Sequence, residues 1–217
     1  MTRVVVLASG AGSTLQALLD SFPTPPREGI PSDGVAFVAV IGNTPGALAL
    51  ERARRAGIPA ILIDHRGRSL EAFEADLARA IDAHRADLIC LAGFLRILSP
   101  AFVRRYAGRI LNTHPALLPA FGGKGMYGDR VHQAVLEAGS AVSGCTIHIV
   151  DEIPDGGPIV AQATVPVLPG DTPETLAERV KAEERRLYPA VVRSWAEGRI
   201  QVVGRTVLWN EARQSSR

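Results

Sequence analysis

Val4-Val5-Val6-Leu7-Ala8 runs straight into Ser9-Gly10-Ala11-Gly12-Ser13, and this joint decides the fold. An unbroken β-branched and apolar run, with no polar alternation, reads as a strand covered on both faces, as in a parallel α/β sheet. The turn of small residues bends the chain, and Ser13 opens a helix with Leu15, Leu18 and Leu19 on one face. Free backbone N–H groups and the positive helix dipole at such a start suit one phosphate. The turn is not a dinucleotide fingerprint, because Leu15 stands where G-x-G-x-x-G needs glycine. Gly42-Asn43 likewise replaces the acidic residue expected after the second strand. No Gly-Lys-Ser/Thr follows, so it is no Walker A loop either. A tight turn without a ligand remains the alternative reading.

The alternation repeats outward from this joint. Phe22-Pro23-Thr24-Pro25-Pro26 must be a surface loop, Val35 to Ile41 a strand, and Thr44-Pro45 the cap of a helix with Leu48 and Leu50 that Gly57 stops. Ala60 to Ile63 is a short strand, Ser69 caps a helix carrying Leu70, Phe73, Leu77 and Ile81, and Leu88 to Ala92 is again an apolar strand. Beyond Leu111 the pattern changes. Thr146 to Val150 and Ile159 to Val167 are strands joined by a short turn-rich segment, hence antiparallel neighbours. A long helix starts at Thr172-Pro173, with Pro189 expected to kink or end it. Gly198 to Leu208 supplies a last hairpin, and 210–217 is a polar tail expected to fray. The expectation is one Rossmann-like α/β domain over 1–217, with a mostly parallel, mixed and twisted sheet flanked by helices. Its halves meet near residue 110, the second running from about 111 to 200.

Composition narrows the function. With 47% hydrophobic and 21% charged residues the chain is a globular protein able to bury a core. Lys+Arg 24 against Asp+Glu 22 gives a net charge of +2, with no clustered basic face to attract nucleic acid. Cys90 and Cys145 lie singly in apolar runs, which argues against a zinc or redox pair and for a reducing compartment. The N-terminal apolar run is too short for a signal peptide or membrane span, so no membrane association and a cytoplasmic location are expected.

Asn112-Thr113-His114-Pro115 ends the apolar run Ile110-Leu111, where α/β proteins place ligand groups. Period-two alternation points Asn112 and His114 the same way, an amide donor beside a proton-exchanging imidazole. An isolated Asn-x-His reads first as a loop histidine with Asn112 capping a turn. Asp155-Gly156-Gly157 is ordinary turn chemistry unless the fold carries Asp155 to His114, where a carboxylate would raise the imidazole's pKa. On the long helix Leu176, Val180, Leu187, Val191 and Trp195 form a stripe, and Glu183 and Glu184 fall on or beside it. A carboxylate there either reaches past the stripe to solvent or meets a partner or ligand.

Together these segments resemble one family. Leu91-Ala92-Gly93-Phe94-Leu95-Arg96-Ile97-Leu98-Ser99-Pro100 is similar to the "LAGFMRILSP" segment of the folate-dependent phosphoribosylglycinamide formyltransferases. Asn112 to Pro119 resembles their "NIHPSLLP" signature, Asp155 to Ile159 their "DGGPI" loop, and Ser9 to Ser13 their phosphate turn. The resemblance runs to about Trp195. It implies formyl transfer from 10-formyltetrahydrofolate to the amine of glycinamide ribonucleotide, without a metal, by a monomer or homodimer. It also implies that Asn112, His114 and Asp155 are catalytic; in the mechanism this suggests, a protonated His114 stabilises the oxygen of the adduct, and its charge at rest is left open. Gly12, Ser13 and Thr14 of the first half, with Glu184 of the second at the glycinamide end, would hold the phosphoribosyl substrate. Leu95, Arg96, Ile97 and Leu98, with Asn112, Asp151, Glu152, Ile153, Pro154 and Asp155, would bind folate.

Some positions depart from the family pattern. Thr14 replaces the usual Asn, and Leu70 stands where some members have a folate-contacting Arg, a contact left open for Arg68. Gly122 to Gly128, with four glycines in seven positions, implies a mobile loop or lid beside His114, with Lys124 facing an anion. Hydrolysis of 10-formyltetrahydrofolate and a non-catalytic nucleotide sensor are the rival readings. Relatives that hydrolyse carry an extra N-terminal domain and those that formylate methionyl-tRNA an extra C-terminal one, which this chain is not expected to have.

Overall fold

The computed structural model describes residues 1–22 and 34–210. The loop expected over 23–26 and the tail from 211 lie outside the described residues. Strands β1 (Thr2–Ala8), β2 (Val35–Gly42), β3 (Ala60–Leu62), β4 (Leu88–Leu91), β5 (Ile110–His114), β6 (Val142–Ile149) and β7 (Ile159–Pro166) form one sheet in the order β3-β2-β1-β4-β5-β6-β7. The first five run parallel, whereas β6 lies antiparallel to both β5 and β7. The sheet is therefore mixed, as the closely linked strands of the second half imply.

Helices α1 (Ser13–Ser21), α2 (Leu48–Arg55), α3 (Leu70–Ala83), α4 (Pro100–Arg105), α5 (Asp129–Glu137) and α6 (Pro173–Ala196) cover both faces, and β8 (Ile200–Val203) pairs with β9 (Thr206–Trp209) in a separate hairpin. Strand β1 shows why its sequence is apolar at every position. Val4, Val6 and Ala8 enter a core layer with Leu15 and Leu18 of α1 and Val191 of α6, while Val5 and Leu7 enter the opposite layer with Phe73 and Leu77 of α3. Each such fully buried side chain contributes roughly 1.5–3 kcal/mol.

Strand β6 starts at Val142, four residues before the expected Thr146, and two helices also differ from expectation. Helix α2 starts at Leu48 with Ala47 as N-cap, because Gly46 takes φ +78°, a conformation that no helix interior accepts. Leu48 is consequently exposed, and Leu50 and Ala53 make the packed face. Helix α6 neither ends nor breaks at Pro189 but continues to Ala196. Tyr188, Pro189, Val191 and Val192 are all buried there, so packing outweighs the lost hydrogen bond. Ser69 caps α3 by accepting from the Ala72 amide, as expected, and Thr172 caps α6 with Pro173 in its first turn.

Strand order reverses between β1 and β4, and the loops leaving their carboxyl ends part to leave a crevice. These loops are tied together. The Ser9 amide donates to the Gly93 carbonyl at 3.0 Å, and the Leu95 amide donates to Ser9 Oγ at 2.8 Å.

Candidate active site

A cavity of about 410 Å³ opens at this reversal, within the size range of small-molecule sites. The α1 start, the segment after β4, the end of β5, the glycine-rich stretch before α5, the loop after β6 and the inner face of α6 all contribute to it. Ser13 and Thr14 line it, as do Leu95, Arg96, Ile97 and Leu98.

Gly12 does not line the cavity. It is the N-cap of α1 at φ +71°, where an added Cβ would lie 2.8 Å from Ala49 Cα. Glycine is required there both for the left-handed turn and for the close approach of α2. The turn is further held by Arg52, whose Nε donates to the Ala11 carbonyl at 2.9 Å.

The 95–98 segment is fixed at both ends. Ser9 holds the Leu95 amide, and buried Glu74 accepts from the Ser99 amide at 2.6 Å as well as from the Ser99 hydroxyl. Leu95 and Ile97 remain 66% and 55% exposed while facing the cavity, an apolar surface suited to a flat ring. The Arg96 guanidinium lies 5.2 Å from the Phe73 ring centre. Arg68 pairs instead with Asp76 at 2.6 Å, and neither Arg68 nor Leu70 lines the cavity, so the contact left open for them is not made there.

Asn112, His114 and Asp155 converge. His114 Nδ1 is 3.4 Å from Asp155 Oδ2, and His114 Nε2 meets the Phe121 carbonyl at 2.8 Å. A carbonyl only accepts, so Nε2 carries the proton and Nδ1 faces the carboxylate. Burial is the largest influence on this imidazole and holds it below its ordinary value, although the Asp155 charge and the Phe121 carbonyl pull the other way. Asp155 thus raises the imidazole's pKa as the sequence leads one to expect, but desolvation is the larger influence and the net shift is downward. Burial pushes Asp155 up, but His148, His114 and the Gly123 amide together hold its carboxyl below the usual range. Asp155 itself adopts φ +55°, with the Gly123 amide donating to Oδ2 at 2.9 Å.

Sequence reasoning passed over His148. It sits directly opposite Asn112 in the β5–β6 register, with Nδ1 3.0 Å from the Ile149 carbonyl. That bond places a proton on Nδ1 and leaves Nε2 3.1 Å from Asn112 Nδ2 and 3.6 Å from Asp155 Oδ1, so the neutral ring accepts from Asn112 and the protonated ring donates to Asp155. One amide hydrogen of Asn112 is thereby fixed and the other is left for a ligand. The available signal was a histidine between Ile147 and Ile149, flanked on both sides by β-branched aliphatic residues.

Of the paired carboxylates on α6, Glu184 turns inward and is 8% exposed, while Glu183 pairs with Arg186 at 2.6 Å. Burial pushes the Glu184 carboxyl above its ordinary value, opposed by the Thr14 and Thr113 hydroxyls, and Thr14 donates to it directly. Lys181, one turn earlier on the same face, and buried His132 of α5 also line the cavity and were not singled out in sequence. Asp151, Glu152, Pro154 and Asp155 line it from the loop after β6, but Ile153 points outward at 61% exposure. Gly123 to Gly128, Lys124 included, form a further wall, tied to the rest through Gly123 and Asp155. Cys90 and Cys145 are buried free thiols pushed up to about 12, beyond reach of thiolate chemistry. Among the described residues no group of three or more His, Cys, Asp or Glu is arranged to hold a metal ion, and no helix is long and apolar enough to cross a membrane.

The profile of the formyl transferase family matches residues 2–192. The chain belongs to the formyl transferase family. Within it, the chain is 42% identical over 201 residues to the phosphoribosylglycinamide formyltransferase of Escherichia coli strain K12, covering 92% of this chain and 90% of that protein. It is 46% identical over 197 residues to the trifunctional purine biosynthetic protein adenosine-3 of Drosophila melanogaster, a match spanning 90% of this chain but only 14% of that much longer relative. The crystal structure of glycinamide ribonucleotide transformylase 1 from Symbiobacterium toebii superposes with a TM-score of 0.88 at 44% identity, covering 97% of this chain and 95% of that one. The α/β fold with its mixed seven-stranded sheet is thus the fold of this formyl transferase relative.

Proposed function

We propose that the chain transfers the formyl group of 10-formyltetrahydrofolate to the amine of N1-(5-phospho-D-ribosyl)glycinamide, a step of purine synthesis. The observation that carries this reading is the convergence of Asn112, His114 and Asp155 in one cavity that polar Ser13 and Thr14 and apolar Leu95 and Ile97 also line. The matches to proteins named for this activity support it.

In this reading Gly12 shapes the turn whose Ser13 and Thr14 hold the phosphate, within a phosphoribosyl-binding half that ends near residue 110. Glu184 faces the glycinamide end. The 95–98 segment and the loop 151–155 enclose the folate, which supplies the activated formyl carbon. The free amide hydrogen of Asn112 points to the oxygen that becomes negative when the amine adds. A donor so placed is worth about 3–4 kcal/mol in acyl transfer. Burial lowers the His114 pKa and so favours the neutral ring, whose Nδ1 can accept the proton that the attacking amine sheds. The resulting imidazolium lies against the Asp155 carboxylate, adds a positive charge beside the oxygen, and returns the proton to the departing folate nitrogen.

Incubation with 10-formyltetrahydrofolate, with and without glycinamide ribonucleotide, tests the proposal. Loss of the formyl folate only when the amine is present is expected. Loss without the amine would identify a hydrolase, and no loss in either case a non-catalytic nucleotide sensor.

A further inference from the structure

The β8–β9 hairpin lies beyond the 2–192 region that defines the family, yet its tip reaches the cavity wall. Its base is anchored elsewhere. Trp209 Nε1 donates to the Val160 carbonyl of edge strand β7 at 3.2 Å, and the Asn210 amide donates to the Arg199 carbonyl at 2.8 Å. The turn at Gly204-Arg205, with Gly204 at φ +60°, then aims Arg205 at the loop after β6.

The Arg205 guanidinium grips this loop at both ends. Nη2 donates to the Gly156 carbonyl at 2.5 Å, and Nη1 is 3.6 Å from Asp151 Oδ2. Between these points the Ile153 amide donates to Asp151 Oδ1 at 2.9 Å and the Gly156 amide to the Ile153 carbonyl at 2.8 Å. Glu152 is held from the other side by Arg104 at 2.7 Å. The residue before Gly156 is Asp155, a non-glycine at positive φ whose carboxylate must face His114. A left-handed aspartate persists only where its surroundings hold it.

We infer that Arg205 is a positioning residue that clamps the two ends of the 151–156 loop and so fixes the folate-facing wall of the cavity. The inference rests on the proposed folate site. It assigns the hairpin a purpose beyond covering the edge of β7. Because the side chain is 70% exposed, its removal leaves the core intact.

The test uses the full chain with Arg205→Ala and Arg205→Lys. A clamp predicts that Arg205→Ala raises KM for 10-formyltetrahydrofolate about fivefold, the scale of one exposed charged hydrogen bond. The KM for glycinamide ribonucleotide should stay within about twofold, kcat should fall several-fold because Asp155 rides on the clamped loop, and Arg205→Lys should recover part of both losses. Amide exchange at Ile153, Asp155, Gly156 and Gly157 should quicken in the alanine variant. An unchanged folate KM, or an equal rise in both KM values, overturns the inference. Should the unaltered chain transfer no formyl group, the proposed function fails by itself. The clamp is then judged by amide exchange alone, unchanged exchange overturning it and faster exchange supporting it.

Discussion

His114 Nδ1 and Asp155 Oδ2 stand 3.4 Å apart, although one closes the last parallel strand and the other follows the first antiparallel one. Asp155→Asn keeps the shape and removes the charge that favours the imidazolium during proton transfer. Turnover should fall about a hundredfold or more, while KM for the folate changes by less than about threefold. Near-normal turnover in a steady-state assay would take Asp155 out of the chemistry.

Asn112 is aimed by His148, its cross-strand partner, through a 3.1 Å bond. His148→Phe fills the space without the acceptor. One neutral hydrogen bond is worth about 1 kcal/mol, so kcat should drop roughly five- to tenfold with both KM values little changed. A kcat equal to that of the unaltered enzyme would mean that Asn112 needs no such orientation.

Gly12 takes φ +71° with Ala49 Cα 2.8 Å from the place of a Cβ, whereas Gly10 has nothing within 4 Å and no positive φ. Gly12→Ala should destabilise the protein by about 1–3 kcal/mol and weaken binding of the phosphorylated substrate, with Gly10→Ala as the neutral comparison. Each kcal/mol lowers Tm by roughly 2–4 °C in a chain of this size. Identical melting of the two variants would refute the close-approach argument.

Burial raises the Glu184 carboxyl above 4.5, its ordinary value. The folded state therefore keeps a proton that the unfolded chain releases at lower pH. This contribution to stability is fully present below the unfolded value and is lost as pH rises through the raised folded value. Glu184→Gln cannot titrate, so its Tm advantage over the parent should grow from about pH 4.5 upward. Its KM for the amine substrate should rise as well. A Tm difference independent of pH between 4 and 7 would contradict the buried-acid account.

Much of this was legible in sequence, for identifiable reasons. Apolar runs such as Val4 to Leu7 announced a sheet covered on both faces because burial leaves no polar position in them. Caps at Ser69 and Thr172 were readable because they depend on residues a few positions apart. The α2 start was misplaced because the torsion of Gly46 competes with the capping signal of Thr44-Pro45. Pro189 was expected to interrupt α6, but local propensity yielded to the tertiary burial of its neighbours. His148 escaped notice because its meaning arises only from strand register. The upward pull of Asp155 on His114 is readable once the two meet, but the net shift is not, because a sequence does not display burial and desolvation prevails over the carboxylate.

The pairing of β6 against β5 has a consequence for misassembly. Slipping β6 by one position would present Ile147 or Ile149 to Asn112 and turn His148 to the opposite face. Such a chain would hide an ionisable ring among aliphatic side chains and set an aliphatic one against Asn112. An error in strand alignment would thus yield an inert species instead of a sluggish catalyst.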